Sequence, residues 1–187
     1  MGMSFPSRGQ VPWVADGFPE RLQREGLSDL NALSQRGSGA QVTDRRSSWV
    51  QTSTITAEHC YIKTYDYPDG RSRRRGALRN TWLAKSRAHR EALALAWLRG
   101  AGFAAPEPLL AWEDRRSGWL HRAVLITGAW PGEDLAALLP TLPPEAATPL
   151  LASLAEQLDR LHRAGIRHRN LDPRNILARS EGAATDP

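Results

Sequence analysis

The ten residues His168-Arg169-Asn170-Leu171-Asp172-Pro173-Arg174-Asn175-Ile176-Leu177 constrain this chain more than any other stretch. They follow a run with helical apolar spacing, Leu151, Leu154, Leu158 and Leu161, which Gly165 closes. Thr148 reads as the N-cap of that helix and Pro149 as its first residue. The loop ends on the apolar pair Ile176-Leu177, the start of a short strand. A polar loop delivered by a helix and closed by a strand has its side chains held on a rigid scaffold, as functional loops do. Turns are rich in Asn and Asp for local reasons alone. They do not demand His168, Arg169, Leu171, Pro173, Asn175 and an apolar pair together in one window.

A second constellation lies upstream. Glu58-His59-Cys60-Tyr61-Ile62-Lys63-Thr64-Tyr65 is rich in β-branched and aromatic residues and reads as a strand. Alternation puts Tyr61, Lys63 and Tyr65 on one face. Positive charge is written as Arg 23 times and as Lys only at Lys63 and Lys85. A lysine inside an apolar strand of such a chain points to a need for a compact point charge, although an edge-strand lysine also guards against aggregation. The spacing then predicts a helix from about Leu83 to Arg99, stopped by Gly100. Its stripe Ala84, Ala88, Glu91, Leu95, Leu98 places Glu91 on the apolar face, where a carboxylate is expensive without a partner. Lys63, 28 residues earlier, is the partner to expect.

The overall pattern is α+β. Residues 1–36 read as an irregular extension with Pro6, Pro12 and Pro19, allowing a short helix near Glu20–Leu33. Residues 37–130 read as a small antiparallel sheet plus one helix, with strands around Trp49–Thr56, Glu58–Tyr65, Leu109–Glu113 and Trp119–Thr127. Gly37-Ser38-Gly39 is the nearest approach to a glycine-rich phosphate loop, but a lone Gly-Ser-Gly is usually a flexible turn. The basic run Arg71, Arg73, Arg74, Arg75 reads as a solvated loop. Gly128 to Gly132 is a hinge-like linker, and a helix opens at Glu133-Asp134. Residues 131–187 form the second segment.

Composition narrows the class. The single Cys60 excludes a disulfide framework and a cysteine metal site. No apolar run reaches membrane-spanning length, and the N-terminus lacks the pattern of a secretory signal, so a cytoplasmic location is expected. The formal net charge of +5 favours an acidic partner: a nucleotide, an anionic membrane surface or a phosphorylated glycan. The seven tryptophans are scattered, so most are expected in the core, and no base-stacking platform for nucleic acid is indicated.

The loop at His168–Leu177 resembles the catalytic loop H-R-D-L-x-x-x-N of the protein-kinase superfamily. Within it, the bacterial lipopolysaccharide kinases, which phosphorylate 3-deoxy-octulosonic acid or heptose of the inner core, are the most similar. Tyr61-Ile62-Lys63-Thr64-Tyr65, Arg90-Glu91-Ala92-Leu93 with Leu98, Gly102, Pro106 and Pro108, and Ala164-Gly165-Ile166-Arg167-His168-Arg169 carry that likeness. The resemblance implies ATP and Mg²⁺ as cofactors and a place at the cytoplasmic face of the inner membrane. It implies that Lys63 contacts nucleotide phosphates, Glu91 braces it, Gly37 and Gly39 stand nearest a phosphate loop, and Asn175 holds metal. His168, Asn170 and Asp172 become the catalytic-loop candidates.

Three departures bear on activity, and a milder fourth is Tyr61, which shares the Lys63 face where protein kinases keep a small residue. Asn170 occupies the place of the catalytic Asp; an amide orients a hydroxyl but takes no proton, and a positioned base is worth roughly a hundred- to ten-thousand-fold. Asp172 is the nearest substitute carboxylate. Only ten residues follow Leu177, without an apolar strand ending in Asp-Phe-Gly, so a partial C-lobe is expected. The sequence therefore supports a phosphotransferase acting on a lipopolysaccharide core sugar or a protein Ser/Thr, or a non-catalytic pseudokinase that serves as a binding module. A basic nucleic-acid module has no motif behind it.

Overall fold

In a computed structural model, residues 9–27, 29–35, 39–45, 47–55, 57–75, 82, 84–166 and 171–179 are described. The chain divides into two compact units, Met1–Ala129 and Trp130–Pro187.

The first unit is built on a six-stranded antiparallel sheet. Its strands are β1 (Gln10–Val14), β2 (Ala40–Arg45), β3 (Ser48–Ile55), β4 (Glu58–Asp66), β5 (Pro108–Arg116) and β6 (Trp119–Gly128), in the order β1-β5-β6-β4-β3-β2. β4 is interior: Lys63 is opposite Val50 on β3 and Leu125 on β6. The period of two divides β4 between two cores. Cys60 and Ile62 join Ile55, Leu110, Trp112, Val124 and Ile126 on one face. Tyr65 joins Ala111, Ala123 and Leu125 on the other. Against that second face lies α4 (Arg87–Gly100), through the fully buried Ala88 and Ala92. Two alanines one turn apart leave room for the helix backbone to approach the sheet.

The structure differs from expectation at both ends of α4. Ser86, not a residue near Leu83, is the N-cap, and its hydroxyl accepts from the His89 N–H at 3.0 Å. Gly100 remains helical; the left-handed residue is Gly102, at φ 77°. The basic run is not an open loop. It forms the short helix α3 (Gly70–Arg75), with Asp69 accepting from the Ser72 N–H at 2.6 Å.

The first 36 residues also hold more order than their prolines suggest. β1 pairs with β5 at the edge of the sheet, where Pro12 is tolerated because, among the described residues, no further strand needs its missing N–H. α1 (Phe18–Arg24) carries Pro19 in its first turn, and α2 (Leu30–Leu33) is capped by Asp29. Phe18, Leu22 and Leu30 are buried against the sheet face opposite α4. The end of α2 is closed from the sheet. Gln51 Nε2 donates to the carbonyls of Leu33 (2.8 Å) and Gln35 (3.0 Å), and the Thr64 hydroxyl donates to that of Ser34.

The second unit contains β7 (Glu133–Asp134), α5 (Leu135–Leu138), α6 (Pro144–Arg163) and β8 (Leu177–Ala178), with β7 and β8 antiparallel. The Asp134 carboxylate caps α5 by accepting from the Ala137 N–H at 2.8 Å. Leu135, Leu138 and Ala178 form a small core joined by Leu150, Leu154 and Ile176. α6 begins one turn earlier than Thr148 implies. Pro144 is its first residue, Pro149 is interior, and the Thr148 hydroxyl donates back to the Pro144 carbonyl at 2.8 Å. The inward stripe shifts with it, so Leu150 packs on the core while Leu151 stays 45% exposed. Gly165, at φ 78°, follows the helix.

Candidate active site

Lys63 reaches its place from the centre of β4, and Glu91 from the second turn of α4. α4 is fixed before it reaches Glu91. The buried Glu113 of β5 accepts from the Ser86 N–H at 3.2 Å. Arg115 pairs with Glu113 and donates to the carbonyls of Ala84 and Gly118. The helix N-terminus is thus tied to the β5–β6 hairpin through a buried ion pair whose donors are used.

Lys63 Nζ donates to Glu91 Oε1 at 2.9 Å and Oε2 at 3.0 Å. The Tyr65 hydroxyl donates to the same Oε2 at 2.9 Å, and the Tyr65 ring centroid lies 5.5 Å from Nζ. Lys63 and Glu91 keep 35% and 36% of their side-chain surface exposed. Burial is the largest single influence and works against the Lys63 ammonium, but Glu91 and Tyr65 together outweigh it and its pKa is raised. Tyr65 is pushed up to about 12, first by burial and then by the Glu91 charge. At neutral pH Lys63 is therefore a charged ammonium and Tyr65 a neutral phenol. Lys63 thus has both Glu91 and the Tyr65 hydroxyl as partners, while about a third of its side chain stays open to an anion. Tyr65 was legible on the Lys63 face but not as a partner. The available signal was that a buried phenol seeks an acceptor.

In the second unit, Asp172 caps a 3₁₀ turn, Pro173–Asn175, and Asn175 is its last residue. The Asp172 carboxylate accepts from the Arg174 N–H at 3.0 Å and from its guanidinium at 2.9 and 2.8 Å. Those hydrogen bonds from Arg174 hold its carboxyl well below the usual carboxylate range. Asn175 is exposed, and its N–H donates to the Asp172 carbonyl at 2.8 Å. His168, Asn170 and Gly37 lie outside the described residues.

Gly39 is placed just before β2, where a Cβ would run into the carbonyl oxygen of Thr52. Close backbone approach therefore accounts for this glycine without a phosphate. Among the described residues no group of three or more His, Cys, Asp or Glu side chains could hold a metal by itself. The tryptophans divide: Trp49 and Trp112 are buried, while Trp82 and Trp97 are 45% and 49% exposed.

A strand lysine bound to a helix glutamate, on an antiparallel sheet followed by a helical unit, defines the α+β protein-kinase-like class. The profile of the Lipopolysaccharide kinase (Kdo/WaaP) family matches residues 43–186. That is well over half of the chain, and the chain belongs to this family, a group of kinase-like phosphotransferases. Membership implies use of ATP, typically with a divalent metal. No curated protein matches the chain.

Proposed function

We propose that this chain binds ATP through the Lys63–Glu91 pair and transfers its terminal phosphoryl group to a hydroxyl of a lipopolysaccharide core sugar. The pair is the observation that carries the reading. An ion pair about one-third exposed contributes only up to about 1 kcal/mol to folding. An ammonium fixed in place at a partly exposed position suits a phosphate oxygen.

The residues fit the two absent groups to different degrees. Lys63 takes the phosphates, and Glu91 keeps it charged and oriented. Asn175 offers one neutral oxygen, which matches how Mg²⁺ is held: few protein oxygens, with phosphates and waters completing the shell. When bound, the metal and nucleotide supply the transferable group and neutralise its charge. The acceptor chemistry rests on the family, and the net charge of +5 suits an anionic glycan or membrane surface. No described helix is long and apolar enough to cross a membrane, and the proposed place of action is the cytoplasmic face of the inner membrane.

Calorimetric titration of the 187-residue chain with Mg-ATP tests the reading. Binding that is lost on Lys63→Ala supports it; equal affinity in both chains removes it. A second reading, nucleotide binding without transfer, is favoured by Asn170 in the base position. Phosphoryl transfer to a purified core glycan separates the two. Under the second reading Asn170→Asp raises the rate by roughly a hundred-fold or more; a wild-type rate already equal to the variant's argues for the first.

A further inference from the structure

The Tyr65 phenol does something that core packing does not require. The residue is 7% exposed, and its ring fills the face shared with Ala88, Ala111 and Leu125. A phenylalanine would fill the same space and would not carry a hydroxyl into the interior, where a polar group costs stability unless bonded. The hydroxyl is directed at Glu91 Oε2, which already accepts from Lys63. Glu91 therefore receives three hydrogen bonds, two to Oε2 and one to Oε1. Both donating residues project from one face of β4, two positions apart, while Glu91 comes from α4.

We infer that Tyr65 is a positioning residue for Lys63, acting chiefly through Glu91: its hydroxyl fixes the carboxylate plane, and its ring lies against the ammonium, so that the exposed side of the Lys63 ammonium is presented in one direction. The inference rests on the reading above, in which that ammonium meets a nucleotide phosphate. The physical need is plain. Lysine has a flexible four-carbon stem, and a glutamate one-third exposed on a helix has rotamers that release it to water. Two bonds from one mobile partner leave the pair free to pivot together. A third bond from a rigid, buried aromatic removes that freedom. The phenol stays neutral and donating throughout the physiological range, because burial and the Glu91 charge both hold its proton.

The composition supplies a clean test, since Lys63 and Lys85 are the chain's two lysines. With ¹⁵N-lysine labelling the ammonium signals are few, and Lys85→Arg assigns them. Nucleotide-free chain, wild type against Tyr65→Phe, is measured for ammonium proton exchange. Affinities for Mg-ATP and for adenosine are measured on the same proteins and on Lys63→Ala. In Tyr65→Phe the Lys63 ammonium is expected to exchange about three- to tenfold faster, with Mg-ATP affinity falling by a similar factor, the size of one lost ordinary hydrogen bond. Lys85 exchange and adenosine affinity stay as in wild type. Unchanged Lys63 exchange overturns the inference whatever the nucleotide does. Equal losses for adenosine and Mg-ATP also overturn it, because the hydroxyl would then be merely structural. Mg-ATP affinity intact in Tyr65→Phe but lost in Lys63→Ala overturns it and leaves the function reading standing. Affinity intact in both removes that reading, and this inference with it.

Discussion

At Lys63, Tyr65 and Glu91, three side chains from two elements make one electrostatic unit, and its parts report on each other. Glu91→Gln keeps the shape and removes the charge that helps raise the Tyr65 phenol. Ultraviolet titration of the tyrosines is expected to show the highest transition move down from about 12 but stay above the ordinary value near 10, because burial remains. The same shift sets an alkaline limit to stability. The folded pKa is raised above the unfolded one, so the contribution is complete below pH 10 and is lost as pH rises through 12. That amounts to at most about 2–3 kcal/mol, and the raised Lys63 value acts in the same direction. Denaturant unfolding between pH 9 and 12 should fall off less steeply in Tyr65→Phe than in wild type. Gly39 makes an opposite case, a glycine whose role is steric. Gly39→Ala forces a methyl against the Thr52 carbonyl and should destabilise by about 1–3 kcal/mol, without changing Mg-ATP affinity.

Helix α4 is the element that decides where Glu91 goes, and it is anchored by polar groups at its start and by alanines along its buried face. Ser86→Ala removes the cap at a cost of about 1 kcal/mol. Glu113→Ala is more severe. It leaves the Arg115 guanidinium, 11% exposed, without its carboxylate, and it frees the Ser86 N–H. Loss of one partner of a buried pair costs about 3–5 kcal/mol. Chemical denaturation measures both variants, and nearly equal effects would contradict the anchoring role assigned to Glu113. Helix α6 shows the weaker side of element-level reading. Its leucines announce a helix correctly, yet Pro149 misdirects the boundary, because proline early in a helix fits more than one register.

Across the whole first unit, the sheet is covered on both faces. α4 covers one, and α1 and α2 cover the other through Phe18, Leu22 and Leu30. The N-terminal segment is therefore part of the fold. Removal of residues 1–35 would uncover Ile55, Ile62, Leu110, Val124 and Ile126, and the truncated chain is expected to aggregate on expression. The milder variant Phe18→Ala should cost about 3–5 kcal/mol in an unfolding titration.

Much of this architecture is written locally. The alternation in Tyr61-Ile62-Lys63-Thr64-Tyr65 separates two sheet faces, and the position of Glu91 on an apolar stripe asks for a cation. The hairpins β3–β4 and β5–β6 follow from β-branched and aromatic runs broken at turns, because near neighbours in sequence find each other without help from the rest of the chain. What the sequence left open depended on residues far apart. Pro12 masked an edge strand whose partner, β5, is about a hundred residues away. Glu113 gave no sign of holding Ser86, 27 positions earlier. The Tyr65 hydroxyl acquired its acceptor only once α4 packed against β4. Periodicity encodes which face a side chain occupies; only tertiary packing determines which groups meet there, since hydrogen bonds act over about 3 Å and sequence spacing does not measure that distance.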